Sequence, residues 1–224
     1  MRFIMRLTGV VNRKKGRVRS IESLLTSIER EKRNNIINSA MKEFSKNSFQ
    51  NASTNVIAKE AGISKGLLFH YFGTKERLYK FLEFFSIKVV TDEIVNKMDW
   101  NQQDIFLRLK EISLIKFKLL EEYPYLTDFS FVVFQDKTAD EIMQIEPGFP
   151  LELYSKIYTH NIDFTLFKDN IDQKKAIDIV RWTIEKYGDD FRGRVKTESI
   201  EFDYKQIEKE IYSYIDMLKK CFYK

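Results

Sequence analysis

Thr54-Asn55-Val56-Ile57-Ala58-Lys59-Glu60-Ala61-Gly62-Ile63 runs directly into Ser64-Lys65-Gly66-Leu67-Leu68-Phe69-His70-Tyr71-Phe72-Gly73-Thr74-Lys75-Glu76, and this stretch decides the fold. It reads as a short helix, a glycine turn and a second short helix. That is the layout of a helix-turn-helix, whose second helix enters the DNA major groove. Ser53 and Thr54 are hydroxyl residues suited to an N-cap. Val56, Ile57, Ala58 and Ala61 form the expected apolar face of the first helix. Gly62 stands where a left-handed C-cap is needed. Ile63 anchors the turn, and Ser64 is the next cap. Leu68 and Phe72, four apart, are expected to face inward. Lys65, Gly66, Leu67, His70 and Tyr71 are left for the outer face. Gly73-Thr74 breaks and restarts the chain, and Glu76 falls in the first turn of a long helix, where the dipole favours an acid.

The spacing Ser53-Thr54-x-x-Ile57-Ala58-x-x-Ala61-Gly62-Ile63-Ser64-Lys65-Gly66, followed by Leu68-Phe69-His70-Tyr71-Phe72-x-x-Lys75-Glu76-x-Leu78, resembles the TetR family of bacterial transcriptional regulators over residues 28–80. A generic helix-turn-helix carries neither the His-Tyr-Phe block nor the Lys-Glu pair after it. Two positions depart from the family pattern. Leu67 stands where a small or hydroxyl residue is more usual, and Phe69 stands where tyrosine is common. Leu67 therefore suggests apolar contact with a thymine methyl in place of a hydrogen bond. The resemblance implies that Lys65, Gly66, Leu67 and His70 approach bases or their flanking phosphates. It implies that Ser53, Thr54, Tyr71 and Lys75 hold the phosphate backbone, and Ser64, which caps the reading helix, is counted with them. Read without the family, Tyr71 is equally a core aromatic with its hydroxyl at the rim, and Lys75 a solvated first-turn lysine.

Composition points to a soluble, cytoplasmic protein. The 224 residues include only three prolines and eight glycines, which favours an all-helical chain. The single cysteine, Cys221, excludes an intramolecular disulfide. No apolar run approaches the ~20 residues of a membrane helix; Phe131-Val132-Val133-Phe134 is core-sized. Charge is unevenly placed. Residues 1–20 hold seven basic residues and no acid, residues 28–80 hold ten Lys/Arg against five Glu, and residues 81–224 hold 21 basic against 27 acidic residues. The positive field thus sits on the half expected to bind phosphates. For residues 1–20 two readings stay open: a disordered arm adding phosphate or minor-groove contacts, or a non-native start without a role. Phe3-Ile4-Met5 is too short for the apolar core of a signal peptide.

Apolar periodicity predicts helices over ~27–47, ~75–98, ~102–121, ~125–136, ~151–167, ~173–193 and ~203–222, with a loop at Glu146-Pro147-Gly148-Phe149-Pro150. The expected fold is all-α. A basic extension (1–24) precedes an N-terminal three-helix helix-turn-helix DNA-binding domain (25–75) and a larger helical ligand-binding and dimerisation domain (76–224). Beyond residue 80 the resemblance extends to layout alone: a helical domain around a ligand cavity, with the last two long helices pairing across a homodimer. Dense aromatics, among them Phe85, Phe117, Tyr123, Phe129, Trp182 and Tyr187, suit an apolar or aromatic effector, although for any single one of them core filling is the more ordinary role. Ile177, Val180, Ile184 and Tyr187 on one late helix, and Ile207, Ile211, Tyr214, Ile215 and Leu218 on the other, are the stripes expected to meet across the dimer.

Catalytic chemistry is not expected. His160 has no Cys or second His at ligand spacing, so no metal site and no cofactor is implied. Glu121-Glu122 and Asp189-Asp190 read as solvated pairs at helix ends or surfaces. No nucleophile elbow or Gly-rich phosphate loop is present. The reading is a repressor released from a palindromic double-stranded operator by a small ligand. The alternative is a DNA-binding protein of the same fold whose C-terminal domain binds a protein partner.

Overall fold

The structure, a computed structural model, describes residues 21–145, 151–197 and 203–224. Its helices in chain order are α1 (Ile21–Ser27), α2 (Arg30–Lys46), α3 (Thr54–Glu60), α4 (Lys65–Phe72), α5 (Lys75–Lys97), α6 (Ile105–Glu122), α7 (Leu126–Phe134), α8 (Ala139–Ile145), α9 (Leu151–Thr159), α10 (Gln173–Thr197) and α11 (Tyr204–Phe222). Among the described residues the only β pairing is an isolated bridge between Phe167 and Tyr223. The chain is all-α, with an N-terminal helix-turn-helix domain.

The boundaries differ from expectation in four places. The helix predicted over ~27–47 is α2, which begins only at Arg30 because the chain turns at Ile28-Glu29. Residues 21–24, read as part of the extension, begin α1, which packs on α5 and places Leu24 in the core, fully buried. The seven-residue α8, barely two turns long, is too short to stand out by periodicity. The segment predicted over ~151–167 ends as α9 at Thr159, where Asn161 takes a φ of 55° and a 3-10 turn follows at Phe164–Leu166. Residues 1–20 and the predicted loop at 146–150 lie outside the described residues.

Local chemistry fixes the reading head. The Ser53 hydroxyl accepts from Val56 N–H at 3.4 Å and the Ser64 hydroxyl from Leu67 N–H at 3.1 Å, so both serve as N-caps. Gly62 closes α3 with φ 68° and Gly73 closes α4 with φ 76°, a region that disfavours any side chain. Ile57 and Ala58 of α3 are buried against α2, but Val56 points outward with 40% of its surface exposed. The apolar face of α3 is therefore narrower than its composition suggests.

Two cores form. The first joins α1–α5 to the last turn of α6 and to α7, through Phe44, Phe72, Phe81, Tyr123 and Phe129. The second lies among α6, α10 and α11 and the end of α5. In it the expected dimer stripes are already consumed. Val180, Ile207, Ile211 and Ile215 are fully buried, and Ile177, Ile184 and Leu218 nearly so, packed within one chain. The second core is pinned by Arg108, fully buried on α6 and, among the described residues, without an ion-pair partner. Its guanidinium donates to the carbonyls of Ile157 (3.0 Å), His160 (2.7 Å), Trp100 (3.4 Å) and Gln102, tying two loops to α6.

Candidate DNA-reading surface and regulatory cleft

α4 turns its polar side outward. Lys65, Gly66 and His70 are exposed, Leu67 and Tyr71 half-buried, and Leu68 and Phe72 form the buried side. Thr54, half-buried, opens α3 beside its cap. As caps, the Ser53 and Ser64 hydroxyls accept, and each retains a proton to donate to a phosphate oxygen. Gly66 is informative because the fold does not require it. A Cβ built there meets nothing nearer than Ser64 Oγ at 3.9 Å, and its φ is not in the left-handed region. Glycine inside a helix costs about 1 kcal/mol against alanine. A side chain is missing from the exposed face of the reading helix, and protein packing does not explain why.

Lys75 is placed otherwise than the resemblance implies. Its Nζ donates to the carbonyls of Gln50 (3.0 Å) and Ala52 (2.9 Å), and lies 4.9 Å from the Phe49 ring centroid. The ammonium closes the α2–α3 loop of its own reading head. Lys75→Met is therefore expected to lower stability by about 1–2 kcal/mol, from two charge-assisted bonds lost at a half-exposed site. Denaturant unfolding measures this directly. A variant of unchanged stability whose DNA affinity loses salt dependence, by about 0.9 in slope per contact, would make Lys75 a phosphate ligand instead.

The six aromatics expected to line a cavity are not gathered in one. Phe85, Tyr123 and Phe129 are buried in the first core. Trp182 faces outward with 57% of its surface exposed. Tyr187 is half-buried, wedged among Phe117, Phe191 and Tyr214 at centroid distances of 6.4, 6.2 and 5.7 Å. Only Phe117 of the six lines the cleft between α6, α7 and α10. That cleft holds about 260 Å³ and includes Lys116, Leu120, Thr127 and Ile184.

One turn along α6 from the cleft, Glu122 joins the two parts of the molecule. Its Oε1 accepts from Arg30 Nη2 (3.0 Å) and Asn34 Nδ2 (2.6 Å), and its backbone carbonyl accepts from Asn38 Nδ2 (2.9 Å), all on α2. The Tyr123 hydroxyl lies 3.1 Å from Asn34 Oδ1 and 3.3 Å from Glu122 Oε1, so its one proton can serve either. Burial opposes ionisation of Glu122, but the bonds from Arg30 and Asn34 and the Arg30 charge outweigh it, and its pKa lies below the usual carboxylate value. Burial, then the charge and hydrogen bond of Glu122, push the Tyr123 hydroxyl up to about 12. Glu122 is thus a bonded junction and not the solvated acid its sequence suggests. Partners 84 to 92 residues away leave no local signal.

Among the described residues no His/Cys/Asp/Glu cluster could hold a metal, and no helix is long and apolar enough to cross a membrane.

Residues 36–81 match the family model of bacterial regulatory proteins, tetR family. No curated protein sequence matches the chain. Solved structures share the fold over nearly its whole length. A TetR family transcriptional regulator from Chloroflexus aurantiacus J-10-FL is 18% identical, with a TM-score of 0.59 over 91% of this chain and 98% of that one. The ketosteroid transcriptional regulator KstR2 of Mycobacterium tuberculosis is 14% identical, with a TM-score of 0.57 over 88% and 97%. The fatty acid degradation regulator FadR from Bacillus halodurans is 19% identical, with a TM-score of 0.55 over 84% and 96%. At these identities the likeness speaks for the fold, while the match over α2–α5 speaks for the reading head. Over residues 36–81 the chain thus carries the module of bacterial regulatory proteins of the tetR family, on an overall fold similar to that of TetR family regulators.

Proposed function

We propose that the chain is a homodimeric, cytoplasmic repressor released from a palindromic operator by a small ligand. Lys65, Gly66, Leu67 and His70 meet bases or their flanking phosphates. Ser53, Thr54, Ser64 and Tyr71 hold the backbone, and Lys75 braces the loop beneath them. The dimer forms on the outward faces of α10 and α11, where Ile179, Trp182 and Met217 are exposed. Tyr187 meets Tyr214 where these consecutive helices touch. Trp182 lies five residues before that contact on α10 and Met217 three residues after it on α11. In an antiparallel pair both fall toward the same end.

The observation that carries the ligand response is the continuity of α6. One face of this helix lines the cleft through Phe117 and Leu120, and its last residue bonds α2 of the reading head. A ligand that fits the cleft better when α6 is displaced shifts the dimer toward a state with misplaced heads. The exposed Phe131 and Val132 on α7 favour the alternative, a protein partner on that surface.

Glu122→Gln tests the coupling, since Glu122 lies in the α6–α2 junction. The variant keeps the side chain's size and removes the charge that Arg30 answers. Operator affinity of the full chain is expected to fall several-fold, with no change at the reading surface. The lowered Glu122 pKa means that its contribution is present above the ordinary carboxylate pKa and is lost as pH falls through the lowered value. Wild-type affinity should therefore carry an acid-sensitive component that the variant lacks. Equal affinity and equal pH profiles would remove α6 from the mechanism.

A further inference from the structure

The cleft between α6, α7 and α10 holds polar groups that do not balance. Its acids are engaged: Glu185 lies 3.8 Å from Arg181 Nη1, and Asp189 has a partner of its own. The Ser113 hydroxyl donates its proton to the Leu109 carbonyl at 2.8 Å. Lys116 and Thr127 also line the cleft, and neither makes a hydrogen bond or ion pair among the described residues. The cleft thus has spare donors, one of them a full positive charge, against the apolar walls of Phe117, Leu120 and Ile184. Lys116 is open to the cleft, yet surrounding protein lowers its pKa by desolvation, opposed only by the Glu185 charge. An ammonium partly stripped of water gains more from an anion than a surface lysine does.

We infer that the cleft takes a small monocarboxylate with an apolar body, its carboxylate on Lys116 and Thr127 and its body against Phe117, Leu120 and Ile184. This rests on the ligand-responsive reading above and narrows the effector from apolar or aromatic to an acidic amphiphile. A single lysine answers one negative charge, which favours a carboxylate over a phosphate dianion. A volume of about 260 Å³ suits a body of modest length.

Octanoate, octanol and octylamine separate charge from apolar fit. Calorimetric titration of the full chain is expected to give octanoate about tenfold tighter than octanol, with octylamine weakest. In Lys116→Met, octanoate should fall to the level of octanol while octanol keeps its affinity and the variant melts like the wild type. Octanol binding as tightly as octanoate, an octanoate preference that survives Lys116→Met, or no binding by any probe overturns the assignment. An operator-binding assay with the same probes separates the two readings. Release by octanol and octanoate alike leaves the regulator responsive but its effector class wrong. Lys116-dependent octanoate binding without release leaves the site intact and removes the regulatory reading.

Discussion

Replacing Trp182 and Met217 by glutamate is expected to give a folded monomer that has lost its operator, whereas replacing Ile211 and Ile215 by aspartate is expected to unfold the regulatory domain. Met217 shares α11 with Ile211 and Ile215, yet the outcomes are opposite, because the side chains face opposite ways. Ile211 and Ile215 are fully buried against the chain's own second core. Each aspartate forfeits roughly 2–3 kcal/mol of apolar burial and adds a carboxylate with no partner. Together these changes approach the ~5–15 kcal/mol that holds a typical domain folded. Trp182 and Met217 are more than half exposed, at 57% and 53%, so a single chain loses little when they change. A second chain covering them would lose its contact. Sedimentation should then report a monomer, and far-ultraviolet circular dichroism an unchanged helix content. With the linkage between two heads gone, operator affinity should drop by about 10²-fold or more. A Trp182→Glu, Met217→Glu protein that remains a dimer with full affinity would place the interface elsewhere.

What could be read in the sequence was what residues close along the chain decide. Ser53, Gly62, Ser64 and Gly73 announce caps and turns within one or two helical turns, and each occupies the expected place. The stripes on α10 and α11 were equally legible as stripes. Periodicity says that Ile211 is buried, but not whether α6 or a second chain buries it. The surplus pointed to Ile179, Trp182 and Met217 only once α6 had taken the rest. Aromatic content failed for a related reason. Phe85 and Phe129 in a core have the same signature as aromatics lining a cavity. Lys75 looked like a free first-turn lysine because the carbonyls it bridges, on Gln50 and Ala52, belong to a loop whose path is set by tertiary structure. The Glu122 junction and the donor surplus around Lys116 are products of packing between helices distant in sequence.

If the outward face of α4 docks against DNA, a side chain added at Gly66 must disturb the contact. Alanine at 66 finds open space in the protein, with Ser64 Oγ at 3.9 Å the nearest atom. Replacing a helical glycine should also raise stability, by up to about 1 kcal/mol. Any loss of binding therefore reports the DNA side alone. The measurement is the affinity of wild type and Gly66→Ala, at one salt concentration, for a duplex selected by the wild type from a random pool. The selected site should have twofold symmetry, with half-sites about 34 Å apart or somewhat more. Gly66→Ala should bind that site at least about tenfold more weakly, roughly 1.4 kcal/mol, while melting no lower than the wild type. Equal affinity of the two proteins, or a wild type that enriches no duplex, would contradict that docking.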